Sequence, residues 1–195
     1  MKRLCIISLT LLLITLTSCQ TNEQTAAEIY LANHSEQDIV DYFSEAALFY
    51  CDFNDTKDIP EKNLYTFAMF HERDSWFDET EQTFYIPIAD IYEILNSYID
   101  DYNLPIEWFE NKFEGEYDTT NQIITAQAIG MGTGCTSYAF INAEIIDTQN
   151  IKIILLEYCE DYALDAYSSN IYITAQIVNG NAKFTSYKRN KSNTP

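Results

Sequence analysis

Ile171-Tyr172-Ile173-Thr174-Ala175-Gln176-Ile177-Val178, closed by Asn179-Gly180 and followed by Ala182 to Tyr187, is the stretch that decides the fold. Ile171, Ile173, Ala175 and Ile177 alternate with Tyr172, Thr174 and Gln176, the period of a strand with one face buried. Asn-Gly supplies the two left-handed residues of a type I′ hairpin. Upstream, Ile123 to Ile129, Tyr138 to Ile146 and Ile151 to Cys159 are further β-rich runs between turn signals. Ile153-Ile154-Leu155-Leu156 is continuously apolar, which predicts a central strand covered on both faces. Five such runs in succession predict an antiparallel meander filling the C-terminal half.

Helical spacing precedes it. Ser35-Glu36-Gln37-Asp38 pairs a Ser cap with an acid three residues on, close to a capping box. Ile39, Phe43, Ala46, Ala47 and Tyr50 then recur at helical intervals, predicting a helix to about Cys51. A second helix is predicted over Glu61 to Glu72, followed by a loop from Arg73 to Gln82. Phe84-Tyr85-Ile86-Pro87 is extended, because the residue before proline is biased away from the helical region. A third helix, Ile88 to Asp101, starts at that proline, and Ile106 to Phe109 adds one more turn after Pro105. Helices gathered before strands predict an α+β fold, with N-terminal helices packed on a C-terminal antiparallel β-meander.

The N-terminus carries a different message. Met1-Lys2-Arg3 is a positive n-region and Leu4 to Leu16 an apolar run too short to span a bilayer, which takes about 20 residues. It ends in Leu16-Thr17-Ser18-Cys19, which resembles the lipobox of bacterial lipoproteins over residues 1–20. The resemblance implies cleavage before Cys19 and a thioether-linked lipid on its sulfur. Fatty acyl chains such as palmitate then fasten the protein to the outer side of the cell membrane or to the outer membrane. The residues divide as a signal peptide (1–18), a polar tether (19–34) and one α+β domain (35–190). The tether's fifteen residues from Gln20 to His34, if flexible, span about 20 Å root-mean-square. The overall layout also resembles that of small uncharacterised lipoproteins of gut bacteria, a likeness that implies no activity.

With Lys2 and Arg3 removed, 9 basic residues face 30 acidic ones, a formal charge of −21. Such a body is repelled by nucleic-acid backbones and by anionic head groups, so acyl chains rather than protein surface must hold it at a bilayer. Aromatic residues make up 14% of the chain, enough apolar surface to fold. Cys51, Cys135 and Cys159 remain as thiols: one bridge and a leftover, or three reduced cysteines. No CxxC pair exists, which excludes a zinc ribbon or thioredoxin-type site.

Chemistry-bearing motifs are sparse. Gly130-Met131-Gly132-Thr133-Gly134-Cys135 lacks the Lys-Ser/Thr of a phosphate loop and reads as a loose hairpin. His34 and His71 are the two histidines; neither lies in an HExxH helix, and each stands alone in the sequence. Asp52, Asn54, Asp55 and Asp58 resemble the start of a calcium loop, but Lys57 and Asn63 occupy its glycine and bidentate-glutamate positions. Glu157, Glu160, Asp161 and Asp165 form a second acidic cluster. Both are weak metal candidates against solvated acidic loops, and no cofactor is expected. Trp76-Phe77 and Trp108-Phe109 are candidates for an aromatic ligand platform, against the alternative of core filling. The expectation is a non-catalytic binding or interaction module, with a groove between helices and sheet for a small ligand, a peptide, a glycan or an envelope protein. The alternatives are a glycan- or peptide-acting hydrolase using unrecognised carboxylates, and a structural envelope spacer.

Overall fold

The computed structural model describes residues 23–71, 74–127, 136–159 and 167–191. Its C-terminal sheet is the meander, four antiparallel strands in the order β5-β6-β7-β8: Thr136–Ile145, Asn150–Cys159, Tyr167–Val178 and Asn181–Lys191. Asn179 (φ 52°) and Gly180 (φ 83°) make the expected tight turn between β7 and β8. The inward row of β7 is Ile171, Ile173, Ala175 and Ile177, all buried, matched by Ile151, Ile153 and Leu155 on β6. On β8 the inward residues are Ala182, Phe184 and then Tyr187. Strict alternation would turn Ser186 inward. A bulge shifts the register, since Thr174 pairs with Ser186 and Ala175 with Phe184, leaving Thr185 as the extra residue. The Thr185 hydroxyl donates to the Thr174 carbonyl (3.1 Å), which fits that arrangement.

Two strand expectations are corrected. The apolar run on β6 is central, but its second face is only half covered: Ile153 and Leu155 are buried while Ile154 and Leu156 stay partly open to solvent. Ile123–Gln127 (β4) does not join the meander. It pairs with β2 (Thr83–Pro87) and β3 (Glu116–Asp118) in a second antiparallel sheet, ordered β1-β2-β4-β3, with β1 Phe77–Asp78 at its edge. Ile86 and Ile124 face each other across this sheet, both fully buried. The cause is local. The Asp118 carboxylate accepts from the amides of Thr120 (2.8 Å) and Asn121 (3.1 Å), folding β3 back onto β4. Asp78 does the same with Thr80 and Glu81, folding β1 onto β2 within the stretch expected to be a loop.

Five α-helices are described: α1 Ala26–Asn33, α2 Glu36–Ser44, α3 Glu61–Met69, α4 Ile88–Tyr98 and α5 Ile106–Asn111. Ser35 caps α2 in a complete capping box with Asp38. Beyond Ser44 the chain tightens into a 3-10 turn, Glu45–Phe49, ended by Tyr50 in the left-handed region. Pro60, Pro87 and Pro105 stand immediately before α3, α4 and α5, where a missing N–H costs nothing. The tether expectation is corrected over its second half. Thr25 and Glu28 form a capping box that starts α1, and Ala27 and Tyr30 are buried. The Ala27 amide also donates to the Thr148 carbonyl between β5 and β6, at 3.2 Å.

Helix aromatics cover the meander. Phe43 and Tyr98 lie 5.6 and 5.9 Å from Phe184. Phe49 stacks on Phe67 at 4.0 Å, and Phe53 is bridged through its backbone to Tyr187. Two substitutions separate the contributions of core and turn. Phe184→Ala empties a fully buried site and is expected to cost about 3–5 kcal/mol. Gly180→Ala meets no neighbour within 4 Å, so only its positive φ matters, and a loss of about 1–2 kcal/mol is expected. Urea denaturation of both variants measures the difference; equal losses would contradict this account of the hairpin.

Candidate functional site

A groove of about 950 Å³ lies between helices and the smaller sheet. Lys62 and Tyr65 of α3 and Trp108 of α5 line one side, Tyr85, Glu116 and Thr125 of the sheet the other. The sheet side is a cross-strand row, since Tyr85 and Glu116 both pair with Thr125. Its aromatic wall is a linked cluster: Tyr65 lies 5.9 Å from Trp108 and meets Phe113 edge-on at 5.1 Å, and Trp108 meets Phe109 edge-on at 5.0 Å. Burial in this cluster pushes the Tyr65 hydroxyl pKa up to about 12, so it acts as a neutral donor.

Gly115 leaves room for the Phe113 ring. A β-carbon there would sit 2.4 Å from Phe113 Cε1, so any side chain displaces the ring from the groove. Charges of both signs ring the opening. The Tyr85 hydroxyl donates to Glu81, which together with neighbouring carboxylates raises its pKa. Lys112 Nζ reaches Glu61 Oε1 at 3.3 Å. The groove carboxylates, Glu81, Glu114 and Glu116, are all exposed. An apolar wall with an exposed polar rim suits an amphipathic ligand, with the rim fixing its orientation.

The expected aromatic platform is split. Trp108 contributes to the groove wall although only 7% exposed, and Phe109 is buried behind it. Trp76 is buried, its indole N–H donating to Asp90 at 2.7 Å, and Phe77 lies half-buried on β1 against Phe84. The acidic candidates serve local structure. Asp52 Oδ1 accepts from the Arg189 amide at 3.1 Å, and Asp55 caps the turn at Thr56–Asp58 through the Lys57 amide at 2.9 Å. Asn54 lines a shallow hollow beside β8. Glu157 is buried and ion-paired with Arg189 at 2.9 Å, and the Tyr138 hydroxyl donates to the same oxygen at 3.4 Å. Among the described residues no three His, Cys, Asp or Glu side chains come together to hold a metal ion. Cys51 is a half-buried free thiol whose pKa burial raises. Cys19, Cys135, Glu160, Asp161 and Asp165 lie outside the described residues, as does the glycine-rich loop from Gly130.

The two histidines, solitary in sequence, share one cleft of about 490 Å³ with Tyr30, Tyr42 and Tyr98. Each follows the same local rule. His34 Nδ1 lies 2.8 Å from the Tyr30 carbonyl and its ring stacks on Tyr30; His71 Nδ1 lies 2.9 Å from the Phe67 carbonyl. The aromatic-x-x-x-His spacing at a helix C-terminus was the signal that pairs them. His71 Nε2 also lies 3.2 Å from Glu45 Oε2. Burial alone would lower its pKa, but Glu45 and the Phe67 carbonyl outweigh burial and raise it above 6.5.

Comparison with protein-family models, curated proteins and solved structures finds no match to the chain.

The His71–Glu45 pair gives stability a pH dependence of definite sign. A pKa raised on folding stabilises fully below the unfolded value and stops doing so as pH rises through the folded value. The stabilisation lost as pH rises from about 6.5 through the raised folded value is expected to be under about 1 kcal/mol. His71→Gln should remove that part of the profile. Parallel urea titrations across this range check it, and identical profiles for the two proteins would refute the pair's role.

Proposed function

We propose that the chain is an acyl-anchored, extracytoplasmic lipoprotein whose groove beside Trp108 makes it a non-catalytic binding module. The lipobox resemblance at Leu16-Thr17-Ser18-Cys19 supports the anchor. Two or more acyl chains, at roughly 0.8 kcal/mol per buried methylene, hold a protein to a bilayer without help from its surface. No helix among the described residues is long and apolar enough to cross a membrane. The aromatic wall of Tyr65, Trp108 and Phe113 facing the Tyr85–Thr125–Glu116 row carries the binding reading. Hydrolysis through paired carboxylates needs one of the two desolvated to act as an acid. The carboxylates at this groove are exposed, which favours binding over catalysis there.

A ligand with an apolar edge and polar ends, such as an amphipathic peptide, fits the groove. Replacing Trp76 with Phe leaves Trp108 as the sole tryptophan. Titration with peptide and glycan libraries is expected to shift or quench its emission. Tyr85→Ala and Gly115→Ala should each weaken the selected ligand about tenfold, or ~1.4 kcal/mol. A ligand that binds with Trp108 emission unchanged and is indifferent to both substitutions would place recognition elsewhere. Separately, Cys19→Ala is expected to release the protein into the medium; retention in the membrane fraction would refute the anchor.

A further inference from the structure

We infer that the outer face of the meander holds a second site, for an acidic saccharide, centred on Tyr172 between Lys152 and Lys188. The charge distribution points there first. Residues 19–135 carry 4 basic and 24 acidic side chains, whereas residues 136–195 carry 5 basic and 6 acidic ones. Nearly all of the negative charge therefore belongs to the helices and the smaller sheet, and the meander is close to neutral.

Within the meander, a hollow of about 440 Å³ opens on the face away from the helices. Its ionisable lining residues are Lys152, Tyr172 and Lys188, beside Thr174, Ser186 and Asn190. Among the described residues no carboxylate lines it, and Glu144, which pairs with Lys152 across β5 and β6, is the nearest acid that bonds to one of its lysines. The register places these residues in two adjacent rows: Lys152 pairs with Thr174 and Thr174 with Ser186, while Tyr172 pairs with Lys188. The lysines stand on strands either side of β7, about 10 Å apart at the backbone. Lys152 Nζ lies 5.6 Å from the centre of the Tyr172 ring.

Edge protection is a general reason for a lysine on β8, which ends the sheet, although Phe53 bridges β8 at Tyr187 and Asp52 takes the Arg189 amide there. It does not explain Lys152, which lies on the inner strand β6. One ammonium group over the Tyr172 ring, a second lysine paired with Tyr172 across the strands, and hydroxyl and amide groups beside them suit a sugar ring that packs on Tyr172 in place of Lys152, with its acid group held by a lysine. A bare phosphate has no face to use the ring. Glu144 now engages Lys152 at 3.0 Å and competes with the incoming acid.

The test uses the full mature chain carrying Cys19→Ala, titrated calorimetrically with oligogalacturonate, a chondroitin sulfate oligosaccharide and sialyllactose. At least one is expected to bind, and to weaken in high salt. Lys152→Gln, Lys188→Gln and Tyr172→Ala should each weaken it about tenfold or more. Glu144→Gln should strengthen it several-fold, and Lys57→Gln, on the opposite half of the charge distribution, should change nothing. Circular dichroism confirms that the outward substitutions leave the fold intact. The proposal is overturned if none of the three binds or if a neutral oligosaccharide of equal length binds as well. It also fails if inorganic phosphate matches the sugar, or if phosphatidylglycerol vesicles alone are retained. Loss of groove binding with this site intact, or the reverse, separates it from the groove beside Trp108.

Discussion

Ten apolar side chains on the inner face of the meander, from Ile151 to Tyr187, are 3% exposed or less. Each of the larger ones contributes roughly 1.5–3 kcal/mol by leaving water, and a four-stranded sheet on its own offers them nowhere to go. The helices exist in their observed places because they meet that demand. α2 brings Phe43, the turn after it Phe49, the segment beyond that turn Phe53, and α4 Tyr98. Isolated helices of 8 to 11 residues are marginal in water, so these depend on the sheet as much as the sheet on them. Hydrogen bonds then fix the alignment: the Tyr42 hydroxyl donates to the Ala182 carbonyl at 2.5 Å, and Phe53 exchanges backbone bonds with Tyr187.

The same demand positions the groove. With α4 held against β8, Pro87 and Ile88 fix where β2 ends, and Ile86 is drawn into the core beside Ile124. The smaller sheet is thus hung from the N-terminus of α4. Its other face, carrying Tyr85, Thr125 and Glu116, is left for α5 and Phe113 to flank. The groove is a by-product of joining two sheets through one helix, and its aromatic wall continues the core through Phe109.

The periodicities that made the fold legible were those set by burial on one side only. Ile171 to Ile177 and the caps at Ser35 and Asn179-Gly180 are local signals, and helices gathered before strands followed from them. What escaped notice was either non-local or encoded in polar residues. Asp78 and Asp118 each close a hairpin by taking two backbone amides, yet in sequence they are two acids among 30. The bulge at Thr185 changes which face Tyr187 occupies without leaving any compositional trace. Of the groove, the sequence singles out Trp108, but its partners Tyr65, Tyr85 and Phe113 come from separate elements, and its grouping with Trp76 rests on residue type alone. The shared cleft of His34 and His71 depends on α1, whose Thr25–Glu28 capping box sits in a stretch dominated by polar residues.

That helix bears on the anchor proposed above. If Cys19 carries the lipid, as proposed, only Cys19 to Thr25 remains as connector, seven residues that reach at most about 25 Å. The acidic charge follows directly, with 24 carboxylates before residue 136. At physiological ionic strength the Debye length is about 8 Å, so a connector of this reach is enough to carry the body out of range of anionic head groups. That reach is about three Debye lengths, more than the charge requires, and the docking of α1 on the β5–β6 turn through the Ala27–Thr148 bond sets where such a connector would begin.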